Sequence, residues 1–415
     1  MTDNKNTILA IALSALVLIV WQFFFAMPQE KARQEKLQAQ QQQQQQLAQK
    51  QQAGQAPAPG GTAQAPGVAP AAAPAQVPGQ APQSPAAIAA NREAAIKASP
   101  RVQIATDSLQ GSIDLKGGRI DDLALVKFRE TVDPKSPPIV LLSPSGGPEP
   151  FYAEFGWTNA VGGAVKVPSA DTVWTQTGSG ALSATHPVTL TYDNGQGIEF
   201  RRTIKVDDKY LFTIKDEVVN KSASPVTLYP YALISRHGTP PTLGYYILHE
   251  GMVGVLGKDG LQEYTYKKIE EKKDVAFDVT NGWLGFTDKY FAAALLPDTT
   301  AHLKAHFGAG KLGNLDTYQT DYLLDAVNVA PGATGSADAR LFAGAKEVAV
   351  VNAYESELKL NRFDLLIDWG WFYFITKPLF VVIDYFYHLV GNFGVAILIV
   401  TVLIKAAFFP LANKS

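Results

Sequence analysis

Cysteine is missing from all 415 residues of this chain, which excludes a disulfide framework, a thiolate metal site and a cysteine nucleophile. That absence suits a reducing and an oxidising compartment equally, so it says nothing about location. A surplus of one charge is also missing. The 36 basic and 38 acidic residues nearly cancel, and no basic cluster with interleaved aromatics occurs, which argues against nucleic acid as a partner. The familiar catalytic signatures are absent: no G-x-S-x-G elbow, no phosphate-binding loop, no dinucleotide fingerprint between a strand and a helix. His186, His237, His249, His302 and His306 form no H-E-x-x-H pair. His302 and His306 are four apart, but AHLKAHFGAG reads as strand, so no metal site and no cofactor are expected. No internal repeat of roughly 20 to 50 residues stands out, against a solenoid or propeller.

What the chain does have is two long apolar runs. Ile8 to Phe25 is broken only by Ser14 and Gln22 and ends in Trp21, Phe23, Phe24 and Phe25. We expect a transmembrane helix at 8–27, since FFFAMPQE offers no small-x-small cleavage site; a cleavable signal peptide is the rival reading. Lys5 on one side against Lys31, Arg33 and Lys36 on the other leaves orientation open. The second run, Phe393 to Phe409, carries only Thr401 and Lys405 as polar residues and closes at Pro410; a span is expected at 391–411. A cation near the centre of such a helix costs about 2.5 to 3.5 kcal/mol, so Lys405 is a candidate functional residue. Helical spacing puts Gly394, Leu398, Thr401, Lys405 and Ala412 on one face. Snorkelling of Lys405 to the interface is the bland alternative.

Between the runs the composition shifts several times. Residues 28–100 hold a glutamine run, Gln40 to Gln46, and an Ala/Pro/Gly/Gln tract that cannot bury a core, and read as a disordered linker. Residues 101–346 hold short alternating runs such as RVQIAT, YLFTIKDEVV and SPVTLYPYALIS. Turn signals at Asp193-Asn194-Gly195 and Val206-Asp207-Asp208 predict hairpins in one large, mostly antiparallel β-sandwich. Within it, His249-Glu250 and Arg236-His237 are possible acid/base groups, though satisfied or solvated histidines are the plainer reading. Trp283, Phe286, Tyr290 and Phe291 of NGWLGFTDKYFAAALLP read as packed strand. A helical connector follows at 347–368, with Val348, Val351, Tyr354, Leu358 and Phe363 at helical spacing. Residues 369–390 set Lys377, Asp384 and His388 on one stripe of an otherwise aromatic and aliphatic segment that includes Trp371 and Pro378. We expect an amphipathic helix in the membrane interface, with Pro378 in its first turns or at a kink; a third span is the alternative.

The stretches FDLLIDWGWFYFITKPLF and GNFGVAILIVTVLIKAAFFPLANKS closely resemble the bacterial YidC membrane insertase family in its Gram-negative form, and the order of parts matches along the chain. The resemblance implies a mixed fold: two transmembrane α-helices flanking a large periplasmic all-β supersandwich of mutarotase-like kind, plus the interfacial amphipathic helix. It places both chain ends, 1–7 and 412–415, on the cytoplasmic side of the inner membrane. It further implies a hydrophilic substrate groove with one cation, here Lys405 where many relatives have arginine, and Thr401 on the same wet face. The function implied is insertion and folding of membrane proteins, not enzyme catalysis. Implied partners are nascent inner-membrane proteins, the Sec translocon with its accessory subunits, membrane lipids, and the ribosome through parts that family members carry beyond the ANKS at which this sequence stops. The chain is thus expected to be the front portion of an insertase. The alternative is a membrane-anchored periplasmic carbohydrate-binding or mutarotase-like protein. That reading requires a histidine and a carboxylate converging in one cleft and has no use for Lys405.

Overall fold

A computed structural model describes residues 77–78, 91–242 and 248–414, with only the backbone of 411–414. The expected span at 8–27 and most of the expected linker at 28–100 lie outside the described residues. The chain divides into two units, one running from residue 71 to 377 and the other containing residues 378–415.

The first unit is built from two antiparallel sheets. Alternating apolar and polar residues let strands such as Ile198–Val206 turn one face to a shared core, whereas Phe151–Asn159, Gly251–Leu256 and Gly282–Thr287 are buried along nearly their whole length. The main path of the ten-stranded sheet runs Arg101–Ala105, Leu109–Asp114, Arg119–Arg129, Phe151–Asn159, Val226–His237, Leu315–Leu324, His302–Leu312, Asp274–Thr280. The nine-stranded sheet runs Gly260–Tyr264, Gly251–Leu256, Gly282–Thr287, Phe291–Leu295, Thr334–Ala345, Leu211–Asn220, Ile198–Val206, Val188–Asp193, Thr175–Thr177. In Ile198–Val206 the residues Ile198, Phe200, Ile204 and Val206 are buried while Arg201 and Lys205 are exposed, as the alternation predicts.

Both predicted hairpins are present. Val188–Asp193 pairs with Ile198–Val206 across the Asp-Asn-Gly turn, where Gly195 and Gly197 take φ of +72° and +80°. Asp193 Oδ1 accepts from the Gly195 N–H at 2.8 Å, and Asn194 Oδ1 accepts from the N–H groups of Gln196 and Ile198. Trp283 and Phe286 are buried as packed strand, whereas Tyr290, in the turn that follows, is exposed.

Helix α1 (Arg92–Lys97) precedes the first strand and is capped by Asn91 Oδ1, which accepts from the Ala94 N–H at 2.9 Å. Helix α2 (Tyr266–Lys272) lies between two strands. After the last strand, helix α3 (Val348–Glu357) and a 3₁₀ turn at Phe363–Leu366 pack onto the sheets through Val351, Tyr354, Phe363 and Leu366. The connector is therefore not one helix. Lys359 and Arg362 take left-handed φ values of +54° and +51°, which ends α3 and redirects the chain into the turn. Phe363 meets Trp283 and Phe342 edge-on at centroid distances of 5.2 and 5.7 Å, and the Tyr354 hydroxyl donates to Asp207 Oδ2 at 2.6 Å.

Helix α4 (Tyr373–Val390) begins in the first unit and ends in the second, with Pro378 inside it. Gly391, at φ +69°, and Asn392 separate it from helix α5 (Phe393–Lys414); Asn392 Oδ1 accepts from the Val395 N–H at 3.2 Å. Among the described residues, the 18-residue stretch Phe393–Pro410 is the one helix segment long and apolar enough to cross a bilayer.

Candidate functional site

Lys405 is the one charged side chain between Phe393 and Pro410. It is exposed, as are most of its apolar neighbours on α5, including Leu398, Val402, Phe408 and Phe409. Ala396 and Val400 are buried. At 3.6 residues per turn Lys405 lies on the side of the helix opposite Ala396, so the cation is on the open side. Thr401 sits one turn before it. The Thr401 hydroxyl donates to the Ile397 carbonyl at 2.7 Å, which satisfies it within the helix while its oxygen can still accept a bond. The arrangement presents one lysine amine and one hydroxyl on an apolar surface.

The α4 residues have separate placements. Lys377 Nζ reaches Asp364 Oδ2 at 2.8 Å and lies 5.9 Å from the Trp369 ring centroid. Asp364 is held in turn: its N–H donates to Glu355 Oε2 at 2.6 Å, and its carbonyl accepts from Trp369 Nε1 at 3.0 Å. The Thr376 hydroxyl donates to the Trp369 carbonyl at 2.7 Å. Lys377 thus fastens the start of α4 to the 3₁₀ turn, a partnership that helical spacing alone does not reveal. Asp384 and His388 face each other at 3.6 Å, one helical turn apart. Trp371 is exposed, and with Phe372, Tyr373, Phe374 and Ile375 it forms a continuous run of exposed aromatic and aliphatic side chains at the head of α4. Exposed apolar area of this kind marks a surface that meets another apolar phase.

A groove of about 1470 Å³ opens between this aromatic run and α2, lined in part by Glu250, Glu263, Glu270, Asp368, Trp371 and Tyr373. His249 lies on its wall, but its Nε2 is 2.9 Å from the Met252 carbonyl and its backbone N–H donates to Asp368 Oδ2 at 2.7 Å. A carbonyl oxygen only accepts, so Nε2 is the donor and the ring is tied to the backbone through it. His237 is buried, which pushes its pKa down to about 4 with help from Arg119, and it sits 3.1 Å from Ser235 Oγ. Arg236 is paired with Asp288 and stacked over Phe151 at 4.5 Å. Arg236 and His237 are therefore engaged within the packed sheet unit, while His249 and Glu250 line the groove. Among the described residues no group of three or more His, Cys, Asp or Glu side chains is placed to hold a metal.

The family model of the YidC periplasmic domain matches residues 101–382, a span that runs past the last strand into α4. A membrane protein insertase YidC of Bradyrhizobium diazoefficiens is 61% identical, covering 100% of this chain and 67% of that protein. Its counterpart in Nitrobacter hamburgensis is 58% identical, covering 100% and 66%. The chain thus spans about two thirds of the length of the relatives it matches. Among solved structures, a galactose mutarotase-like protein from Lactobacillus casei ATCC 334 covers 59% of this chain and 100% of itself at 8% identity, with a TM-score of 0.40. A putative aldose 1-epimerase from Escherichia coli K12 covers 59% and 99% at 10% identity, with a TM-score of 0.39. Those two likenesses are too loose to bear on chemistry. The identity along the full chain and the match over residues 101–382 make this a member of the YidC membrane protein insertase family.

Proposed function

We propose that the protein inserts inner-membrane proteins and helps them fold, with Lys405 as the charged wall of a hydrophilic groove open to substrate. The β-sheet unit stands in the periplasm. The expected span at 8–27 and helix α5 both cross the inner membrane and return the chain ends to the cytoplasm, and α4 lies at the interface with its aromatic head and the Asp384–His388 pair. A polar flank of an incoming chain pays heavily to enter hydrocarbon, because its backbone and charges lose their water partners. A cation and a hydroxyl on the helix surface offer replacement partners at that depth, so the flank crosses at lower cost before the following apolar helix moves into lipid. Acidic residues of the substrate gain most. No covalent bond changes. Substrates are nascent inner-membrane proteins, and the Sec translocon, the ribosome and membrane lipids are the partners that complete the reading.

The observation that carries this reading is the placement of Lys405, exposed and the one charged residue within the membrane-length apolar stretch Phe393–Pro410. Replacing it tests the proposal in an insertase-depletion complementation assay. Lys405→Arg is expected to sustain insertion, while Lys405→Glu lowers it most for substrates with acidic translocated tails. Normal insertion of those substrates by Lys405→Glu would refute the role.

A further inference from the structure

A two-layer sandwich turns the inner face of each sheet to the core and the outer face to water. The ten-stranded sheet departs from that rule at its centre. In Val226–His237 the residues Leu228, Ala232 and Ile234 enter the shared core, yet the outward residues Tyr229, Tyr231 and Leu233 are only 6%, 5% and 3% exposed. Tyr152 and Leu323 from the flanking strands join them in a separate apolar cluster.

Seated in that cluster is Val77, 3% exposed, from the Ala/Pro/Gly/Gln tract. The carbonyl of the next residue, Pro78, accepts a hydrogen bond from Gln319 Nε2 at 3.0 Å. The floor beneath is polar but engaged. Tyr231 Oη donates to Glu154 Oε1 at 2.8 Å, Arg119 Nε donates to Glu154 Oε2 at 2.6 Å, and the Arg119 guanidinium lies 4.6 Å from the Tyr152 ring centroid. Gly156 makes this possible, because a Cβ there would come within 2.8 Å of Tyr231 Oη.

This chemistry selects its occupant. A backbone segment buried on such a patch needs a partner for every N–H and C=O. Proline brings no N–H, and Gln319 supplies the donor for its carbonyl. A β-branched residue ahead of proline fills the hollow between the tyrosines, and Val77-Pro78 is the one Val-Pro pair in residues 53–90. Aromatic-lined surfaces take proline-containing segments for the same reasons elsewhere.

We propose that the outer-face patch formed by Tyr152, Tyr229, Tyr231, Leu233, Gln319 and Leu323 is a binding site for a Val-Pro segment, filled in cis by Val77-Pro78. It acts as a latch that sets where the tether leaves the sheet unit. The test uses the full chain in detergent micelles and a fluorescent peptide of sequence AAPAQVPGQAPQ. In the unaltered chain the tethered segment competes at an effective concentration of the order of mM. Val77→Asp brings a carboxylate toward Glu154 and empties the site, so peptide uptake is expected to tighten by roughly tenfold or more over the unaltered chain. Replacing residues 71–80 by Gly/Ser repeats empties the site without adding charge and is expected to give the same gain. A peptide carrying Asp-Gly in place of Val-Pro is expected to bind neither variant. Absence of a gain in both variants, or equal uptake of the Asp-Gly peptide, would overturn the proposal.

Discussion

Arg202 occupies a position that the alternation of its strand reserves for an apolar side chain. Its neighbours Phe200 and Ile204 point into the core, and so does Arg202, at 1% exposed. Four hydrogen bonds make that tolerable. Nε and Nη2 donate to the two Asp216 carboxylate oxygens at 2.7 and 2.8 Å, while Nη1 donates to the Gly118 carbonyl at 3.0 Å and Nη2 to the Phe155 carbonyl at 2.5 Å. The guanidinium also lies 5.0 Å from the Trp174 ring centroid. Arg202 and Asp216 belong to the nine-stranded sheet and Phe155 to the other, so one side chain joins both layers. Arg202→Ala leaves a buried carboxylate unpaired, and a loss of about 3 to 5 kcal/mol is expected from chemical denaturation. Joint replacement, Arg202→Met with Asp216→Leu, is expected to recover most of that loss, because no charge is then stranded. A single variant as stable as the unaltered chain would contradict this account. EFRRTIKV gives the strand from sequence but not the inward arginine, since its partners lie on two other strands and in the turn at Gly118.

At the scale of elements, the edge strand Asp274–Thr280 is fastened by a ladder whose spacing was visible in sequence but whose meaning was not. DVAFD, HLKAH and DYLLD each repeat a polar residue at an interval of four, and the sheet lays these runs side by side. His306 lies between Asp274 and Asp321, with Nδ1 2.8 Å from Asp321 Oδ2. His302 lies between Asp278 and Asp325 at 2.6 and 2.9 Å. Gln319 also donates to Asp321 Oδ2 at 2.8 Å. An imidazole bonded to carboxylates through both nitrogens must carry both protons. Burial lowers the pKa of His306, but Asp321 and Asp274 outweigh it and the net direction is up; Asp325 and Asp278 raise that of His302. A histidine whose folded pKa is raised adds stability that is full below about pH 6.5 and is lost as pH rises through the folded value. Amides of Asp274–Thr280 are therefore expected to exchange faster at pH 8 than at pH 6, after correction for intrinsic rates. His306→Gln is expected to remove most of that difference, and protection independent of pH in the unaltered chain would count against the ladder.

On the scale of the whole molecule, the strands end at Ala345 but the compact unit continues to Lys377. Two levels of legibility meet here. The apolar run at Phe393–Phe409, the hairpin turns and the helix that follows WGW could be read directly, because period and turn chemistry are properties of short stretches. The partners of Val351, Tyr354 and Phe363 could not, since helical spacing shows that a face is apolar without showing what covers it. The cover is the sheet unit itself, and Trp283 Nε1 donates to the Asn361 carbonyl at 3.0 Å across the same contact. Val351, Phe363 and Leu366 are each at most 1% exposed. Full burial of such a side chain is worth about 1.5 to 3 kcal/mol, and domain stability is only about 5 to 15 kcal/mol in total. A chain covering residues 71–346 is therefore expected to melt at a clearly lower temperature than one covering 71–377, with added binding of a hydrophobic dye where Trp283 and Phe342 lose their cover. Equal melting temperatures for the two forms would show that α3 and the 3₁₀ turn are accessories to the sheets and not part of their core.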